Sequence, residues 1–321
     1  MNDPEVSVIV LSFNQRASLA RTLDSILSQK CGFRYEIVVS DDCSTDGTRE
    51  LALDYGRRYP DTVTVLPAGE RRGLVRNYFH AFSACRGRFV TDCSADDMML
   101  GELNLQRKYD VLIANPGVVM VHSDWLTFPA GRPSERRQSG HEAWPEGVIS
   151  GRKLLKEFLS NSSGPVVHLS TVLYRREALA EILARRSEMV CNEDLGCEDL
   201  PLIAALLNRG DAYWLPEATL LYQLSDDSLS SPANVRRLVE FYRKTIAADA
   251  LLSTYYGIPR RDMKKRLATK LRYAMSQAFH GRFAEGALSL DRMRRTYGLN
   301  GGLKYALMFM ACVLIGRRCN G

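Results

Sequence analysis

The chain has 321 residues, 45% of them hydrophobic and 25% charged, the balance of a folded globular protein long enough for one large domain or a domain with an appendage. Its net charge of +6 is uneven, because residues 1–258 hold 29 Lys/Arg against 34 Asp/Glu while residues 259–321 hold 14 against 3, a local excess of +11. Eight cysteines with no Cys-x-x-Cys pair and no zinc-ligand spacing argue against a zinc site, and no apolar run reaches the ~18–20 residues of a membrane span.

No secretory leader pattern is read at the start, so the expectation is a cytoplasmic chain with free thiols. Val6 to Phe13 is a nearly continuous β-branched run, the pattern of a parallel strand buried on both faces. A helix is predicted from about Ala17 to Ser28, with Leu19, Leu23, Ile26 and Leu27 on one side. Tyr35 to Val39 reads as a second strand ending in Ser40-Asp-Asp-Cys-Ser-Thr-Asp-Gly47. A helix to Tyr59 and a strand over Thr62–Leu66 follow. The basic segment Glu70 to Asn77 leads into a helix to about Ala84, and a β-favouring run from Arg88 to Cys93 feeds into Asp96 and Asp97.

Leu103 to Asn115 reads as a helix and Val118–Thr127 as a strand. Pro129 to Gly147, aperiodic and rich in Pro, Gly and charge, reads as a long surface loop. A helix from Ser150 to Leu159, a strand over Thr171–Tyr174 and a helix from Arg176 to Arg185 precede the acidic stretch Val190 to Pro201. An apolar helix, Leu202 to Leu207, then stops at Asn208-Arg-Gly210. Ala212–Leu215 and Ala218–Gln223 read as two closing strands. Beyond Pro232 only helices are predicted, over residues 233–256, 260–280 and 282–296, and Leu303 to Ile315 is apolar all round.

The β-α-β-α-β alternation predicts an open α/β sheet with parallel strands, and such sheets bind ligands at the carboxyl ends of their strands. Three such ends carry polar residues here: Ser12 and Asn14, Asp41 and Asp42, Asp96 and Asp97. Adjacent aspartates repel, so a compensating cation is the first thing to look for; a hard divalent ion carrying phosphate oxygens is one answer, and an acidic strand-to-helix turn with one aspartate as N-cap and the other solvated is the alternative. No Gly-x-Gly-x-x-Gly and no Walker A sequence follows the first strand, which leaves dinucleotide and P-loop binding unsupported.

In fixed order, VSVIVLSFNQ (6–15), EIVVSDDCSTDGT (36–48), GLVRN (73–77), GRFVTDCSADD (87–97) and CEDLPLIAALLNRG (197–210) resemble the inverting glycosyltransferases of family 2 with the GT-A fold. The resemblance covers about the first 230 residues. It implies a GT-A domain over residues 1–231, an open mostly parallel sheet flanked by helices; the helical, basic extension over 232–321 is read from its own pattern and charge. The resemblance also implies a nucleotide-sugar donor, with a UDP-sugar expected, a Mn²⁺ or Mg²⁺ cofactor, and single-displacement transfer to a glycan or lipid-linked glycan. By the same resemblance Ser12, Phe13 and Asn14 lie against the nucleotide base, Asp42 binds base or ribose, and Arg76 and Asn77 sit near the diphosphate and sugar.

Glu198-Asp199 matches the family's Glu-Asp motif, with Asp199 as catalytic base. Glu193-Asp194 is the alternative register, disfavoured because Leu-Pro-Leu-Ile follows 198–199. The family's Asp-x-Asp element falls on Ser94-Ala-Asp96, so serine replaces the first aspartate, Asp96 keeps the metal-ligand position and Asp97 follows it. Asp92 interrupts a run the family keeps apolar. The histidine that relatives carry after the last strand is absent from Ser225-Asp-Asp-Ser228, where Asp226 or Asp227 is the available substitute. These departures motivate the alternative of a catalytically weakened nucleotide-sugar-binding subunit. His122, His141 and His168 are read as structural or surface residues, and the tryptophans receive no role. The basic tail suggests peripheral contact with an anionic membrane, at the inner face of the plasma membrane, and nucleic acid is not an expected partner.

Overall fold

A parallel strand core at the amino-terminal end organises the first part of the chain. The computed structural model describes residues 3–67, 69–130, 132, 137–138, 145–161, 167–224 and 234–319. It begins with β1 (Val6–Ser12), α1 (Arg16–Leu27), β2 (Tyr35–Asp41), α2 (Thr48–Arg58), β3 (Val63–Val65), α3 (Leu74–Ala84) and β4 (Phe89–Asp92). Then come β5 (Met98–Met99), α4 (Asn104–Ala114), β6 (Val118–Pro129), β7 (Arg137–Gln138), β8 (Gly147–Ile149), α5 (Gly151–Ser160), β9 (Leu173–Arg175), α6 (Arg176–Val190), α7 (Asp199–Arg209) and β10 (Asp211–Leu224). The helices α8 (Val235–Tyr255), α9 (Arg260–His280), α10 (Ala284–Thr296) and α11 (Gly302–Cys319) complete it.

The strands form one sheet in the order β3-β2-β1-β4-β9-β6-β10-β5, with β7 beside β6 and β8 beside β10. β1 runs parallel to β2, from Val6↔Tyr35 to Ser12↔Asp41, and parallel to β4, from Val6↔Phe89 to Ile9↔Asp92. The carboxyl ends of all three therefore lie along one edge. From β4 onward the described pairings turn antiparallel, β9 lying between β4 and β6 and β10 beside β5. Val6, Val8, Val10, Ile37 and Val39 are buried with Leu19, Leu23 and Ile26 of α1. Each such side chain contributes about 1.5–3 kcal/mol by leaving water.

Where β4 begins, the chains approach too closely for any side chain. A Cβ on Gly87 would stand 2.5 Å from the Ser7 nitrogen. The Gly87 N–H donates to Ser7 Oγ at 2.8 Å, and Ser7 in turn donates to the buried Glu36 at 2.7 Å. Arg86 closes this network with two bonds to Glu36 Oε2, at 2.8 and 2.6 Å, so the buried carboxylate is satisfied.

Several elements differ from their sequence prediction. The two closing strands are one strand, β10, in which Pro216 falls between the part paired with β8 (Ala212–Trp214) and the part paired with β5 (Leu220–Leu221). There the missing N–H removes no bond from either of these two pairings. α6 continues to Val190 across a kink at Arg186, and residues 169–171 form a 3₁₀ turn before β9. Short β5 and β8 carry too few residues for a period to show, and most of the long loop predicted at 129–147 lies outside the described residues.

Packing divides the chain into two compact units. One comprises residues 1–155, 166–193 and 197–223, the other 156–165, 194–196 and 224–321. In the second unit Leu267, Leu271, Met275, Ala287 and Leu290 form a core of their own. Beside it the fully buried Asp249 is paired to Arg266 at 2.9 Å and to Lys270 at 2.7 Å. Arg266 Nη1 also donates to the carbonyls of Phe158 and Asn161, both at 2.8 Å.

Candidate functional site

The loops at the carboxyl ends of β1 and β2 are laced together. Ser12 Oγ donates to Asp41 Oδ1 at 3.0 Å, and the Ser44 N–H donates to Asp41 Oδ2 at 2.9 Å. Asn14 takes a left-handed φ of 53°, which asparagine tolerates better than most residues. Its N–H reaches Ser44 Oγ at 2.8 Å, and its Oδ1 accepts the Thr45 N–H at 2.9 Å. Asp42, also buried, accepts the N–H groups of Arg72 at 2.6 Å and Gly73 at 3.0 Å. The Arg71 guanidinium stands 3.9 Å from the centre of the exposed Phe13 ring, so Phe13, Asp42 and the 71–73 segment share one place.

Asn77 is buried on α3 and spends its amide on β2: it accepts from Ser40 Oγ at 2.7 Å and donates to the Ser40 carbonyl at 3.0 Å. Arg76, one residue earlier, is exposed and pairs with Glu193 at 2.8 Å. The two residues of GLVRN thus face different surroundings.

The acidic loop leaves β4 through a tight turn in which the Asp97 N–H donates to the Ser94 carbonyl at 2.9 Å. Asp97 is fully buried. Its Oδ1 accepts the Gln223 N–H at 2.8 Å and its carbonyl accepts from Thr22 at 2.6 Å, while Oδ2 has no partner. Burial, then the charge of Asp96, pushes the Asp97 carboxyl well above the usual range. Burial raises Asp96 as well, opposed by a hydrogen bond from Gln15 and the positive charge of Arg21. Ser94 and Asp96 are half-buried, so of the loop's polar residues these two remain accessible.

A second group of acids lies beside this loop. Asp92, at the end of β4, is buried and accepts from Ser170 Oγ at 2.8 Å, and its Oδ1 has no partner. Burial, followed by the charge of Asp199, pushes its carboxyl up to about 7. Glu198 is buried at the head of α7, and its Oε2 also lacks a partner. Its carboxyl is pushed well up by burial and then by Asp199. Asp199 is half-buried in the first turn of α7, whereas Glu193 and Asp194 are exposed. Asp92, Asp97 and Glu198 all feel the charge of Asp199, so the 198–199 pair adjoins the acidic loop. Lys108 is the buried cation nearby; burial lowers it to about 7, and its Nζ donates to Thr219 at 2.8 Å.

The fit of a divalent cation rests on Asp96, the accessible carboxylate of the acidic loop, next to the buried Asp97 whose Oδ2 has no partner. Among the described residues no three His, Cys, Asp or Glu side chains converge as a ligand set. The protein's share of a coordination sphere would therefore be one or two carboxylates, which suits an ion that takes its other ligands from phosphate and water. A cavity of about 440 Å³ lies instead at the amino-terminal ends of β1 and β4, among Asp3, Glu5, Arg86, Arg88 and Arg176. It holds none of these groups.

Gln15, Arg21 and Gln223 join the site without having been singled out in the sequence, and His168, read there as a structural or surface residue, stands half-buried within reach of the Asp199 charge. Gln15 closes the first motif, but Arg21 is one helix arginine among many and gave no signal. His168 accepts the Ser170 N–H on Nδ1 at 3.3 Å and meets Tyr222 edge-on, with ring centres 4.9 Å apart. Burial lowers its pKa while Asp199 pulls the other way. Trp214 and Trp125 are buried, beside His122 and His168 respectively. His141, Trp144 and Ser225-Asp-Asp-Ser228 lie outside the described residues.

Comparison with known proteins follows the same residues. The model of glycosyl transferase family 2 matches residues 7–183. A putative teichuronic acid biosynthesis glycosyltransferase, TuaG of Bacillus subtilis, is 34% identical over 229 residues, 71% of this chain and 82% of TuaG. An uncharacterized protein of Mycobacterium tuberculosis is 29% identical over 54% of this chain, and the chain spans about half of its length, the match covering 47% of it. Among solved structures, Staphylococcus aureus TarS 1-349 with UDP-GlcNAc superposes with a TM-score of 0.61 at 15% identity, over 98% of this chain and 91% of that one. The mannosyltransferase PcManGT of Pyrobaculum calidifontis, with GDP-Man and Mn²⁺, gives 0.53 at 19% identity, over 100% and 88%.

Proposed function

Since the chain belongs to glycosyl transferase family 2 and has the GT-A fold, we propose that it moves a sugar from a nucleotide-sugar donor to a hydroxyl of a glycan or lipid-linked glycan, with inversion, in polysaccharide assembly. In this reading residues 1–231 are the catalytic domain and 232–321 a helical extension. The donor is a UDP-sugar, a choice supported by the UDP-GlcNAc carried by TarS. The acceptor is met at the inner face of the plasma membrane.

The observation that carries the reading is the meeting of two motifs far apart in sequence. The half-buried Asp199 stands close enough to Asp97 and Asp92 for their charges to interact, while Asp194 of the rival register is exposed. Asp199 is the base: it takes the proton of the acceptor hydroxyl as that oxygen attacks the anomeric carbon opposite the diphosphate. Glu198, buried at the head of the same helix, has its carboxyl pushed well up by burial and then by Asp199, and is assigned beside it to the catalytic pair. Phe13, Asn14 and Ser12 border the base of the nucleotide, Asp42 its base or ribose, and Arg76 and Asn77 the diphosphate and sugar. Asp96 would hold Mn²⁺ or Mg²⁺, with Ser94 and Asp97 beside it. A bound ion there would neutralise the charge that gathers on the leaving diphosphate.

Transfer assayed with UDP-sugars and Mn²⁺ tests the assignment. Asp199→Asn should lower turnover by about 10²–10⁴-fold while donor binding persists. Full turnover in that variant removes Asp199 from the role of base. Ser94 in place of the first aspartate favours one second reading, a donor-binding subunit without transfer. Donor-induced thermal stabilisation with no turnover or donor hydrolysis would select it.

A further inference from the structure

Helix α11 is docked by one side only. Tyr305 and Cys312 are buried, Cys312 Sγ lying 3.5 Å from the Ala278 carbonyl of α9 and the Tyr305 ring 5.9 Å from the Arg294 guanidinium of α10. On the other side Leu303, Leu307, Met310 and Leu314 recur at helical spacing and are 76, 53, 50 and 62% exposed. Four large apolar side chains in one row, covering ~16 Å of helix at 1.5 Å per residue, form a continuous stripe and not scattered surface leucines.

We propose that this stripe is a docking surface for an anionic lipid bilayer, with α11 lying in the plane of the interface. Three observations select that occupant. Residues 259–321 carry an excess of +11, and Arg260, Arg261, Lys265, Arg272, Arg292 and Lys304 are exposed cations within it. A second copy is disfavoured by the same charge, because a two-fold contact through this stripe would bring two strongly cationic segments together. Crossing the bilayer is disfavoured as well. No helix of the described residues is long and apolar enough to cross a membrane, and α11 keeps its other face on the helical bundle. What remains is a helix docked by one face, with an exposed apolar stripe and a cationic setting.

The surface does not depend on the transfer reaction, and the two readings fail separately: vesicle binding is scored without donor, and donor turnover without vesicles. The full chain is sedimented with vesicles of phosphatidylcholine plus phosphatidylglycerol, and with phosphatidylcholine alone. Binding is expected to the anionic vesicles, to weaken as NaCl is added, and to be much weaker on the neutral ones. Leu307→Glu with Met310→Glu should lower the partition coefficient about tenfold or more. Because both positions are exposed, melting temperature and donor turnover in solution should not change. The proposal is overturned if wild-type protein ignores the anionic vesicles, if it binds both kinds equally, or if the double variant binds as well as wild type. It is overturned equally if the chain is a dimer in sedimentation velocity that the substitutions split, with no vesicle binding; the face then belongs to a second copy.

Discussion

Asp92 offers the sharpest quantitative test of the site. It sits on a central strand opposite Ile9, its Oδ2 bonded to Ser170, its Oδ1 without a partner and its carboxyl pushed up to about 7 by burial and then by Asp199. In the unfolded chain the same group titrates near 3.8. The native state therefore holds this proton more tightly than the unfolded state does. The stability this confers is complete below the unfolded value and is lost as pH rises through about 7. A gap of about three units at ~1.36 kcal/mol each is roughly 4 kcal/mol across the whole window, of which about 2.5 kcal/mol falls between pH 5 and pH 8. Asp92→Asn keeps the shape and an acceptor for Ser170 but never ionises. Urea unfolding of both proteins at the two pH values, compared at equal m, should show wild-type stability dropping by about 2.5 kcal/mol more than that of the variant. Parallel pH dependences for the two proteins would mean that Asp92 is ionised and paid for elsewhere, and the account of this acid group would be wrong.

Three further outcomes follow from other parts of the molecule. Gly87→Ala should lower stability by about 1–3 kcal/mol in thermal melts, because its Cβ would meet the main chain of Ser7 and Val6 at 2.5 and 2.7 Å, where nothing flexible can give. Arg266→Met should cost about 3–5 kcal/mol by urea unfolding, since it strips the fully buried Asp249 of one of its two cations. Asp96→Ala should abolish the added thermal stabilisation that Mn²⁺ brings to UDP binding, while Asp194→Ala, altering an exposed side chain, should keep it.

What could be read in advance, and what could not, divides along physical lines. β1, β2 and β4 are short runs of buried apolar residues ending in polar ones, and both the strands and the ligand edge follow from that pattern. The C-terminal helices likewise announce themselves by length and period. Pro216 misleads because a proline stops a strand only where its N–H is needed, and pairing partners are not visible in a linear chain. His168 and Arg21 reach the site through tertiary packing alone: one from a 3₁₀ turn, the other from a helix whose apolar side is the legible one. Asp92 stood out as a polar residue in an apolar run, but that the group it belongs to includes Asp97, Glu198 and Asp199 is a fact of the folded chain.

The Arg266 contacts have a practical bearing on fragments. Phe158 and Asn161, whose carbonyls that guanidinium caps, stand at the end of α5, some 70 residues before the C-terminal helices begin. A gene shortened after codon 231 would still encode residues 156–161, yet it would delete the arginine that answers both carbonyls. The shortened polypeptide would carry a frayed helix end into solution. Expression of the amino-terminal portion alone is thus a poor route to a well-behaved enzyme sample. Removing only the last helix, α11, leaves Arg266, Asp249 and Lys270 together and is the gentler cut.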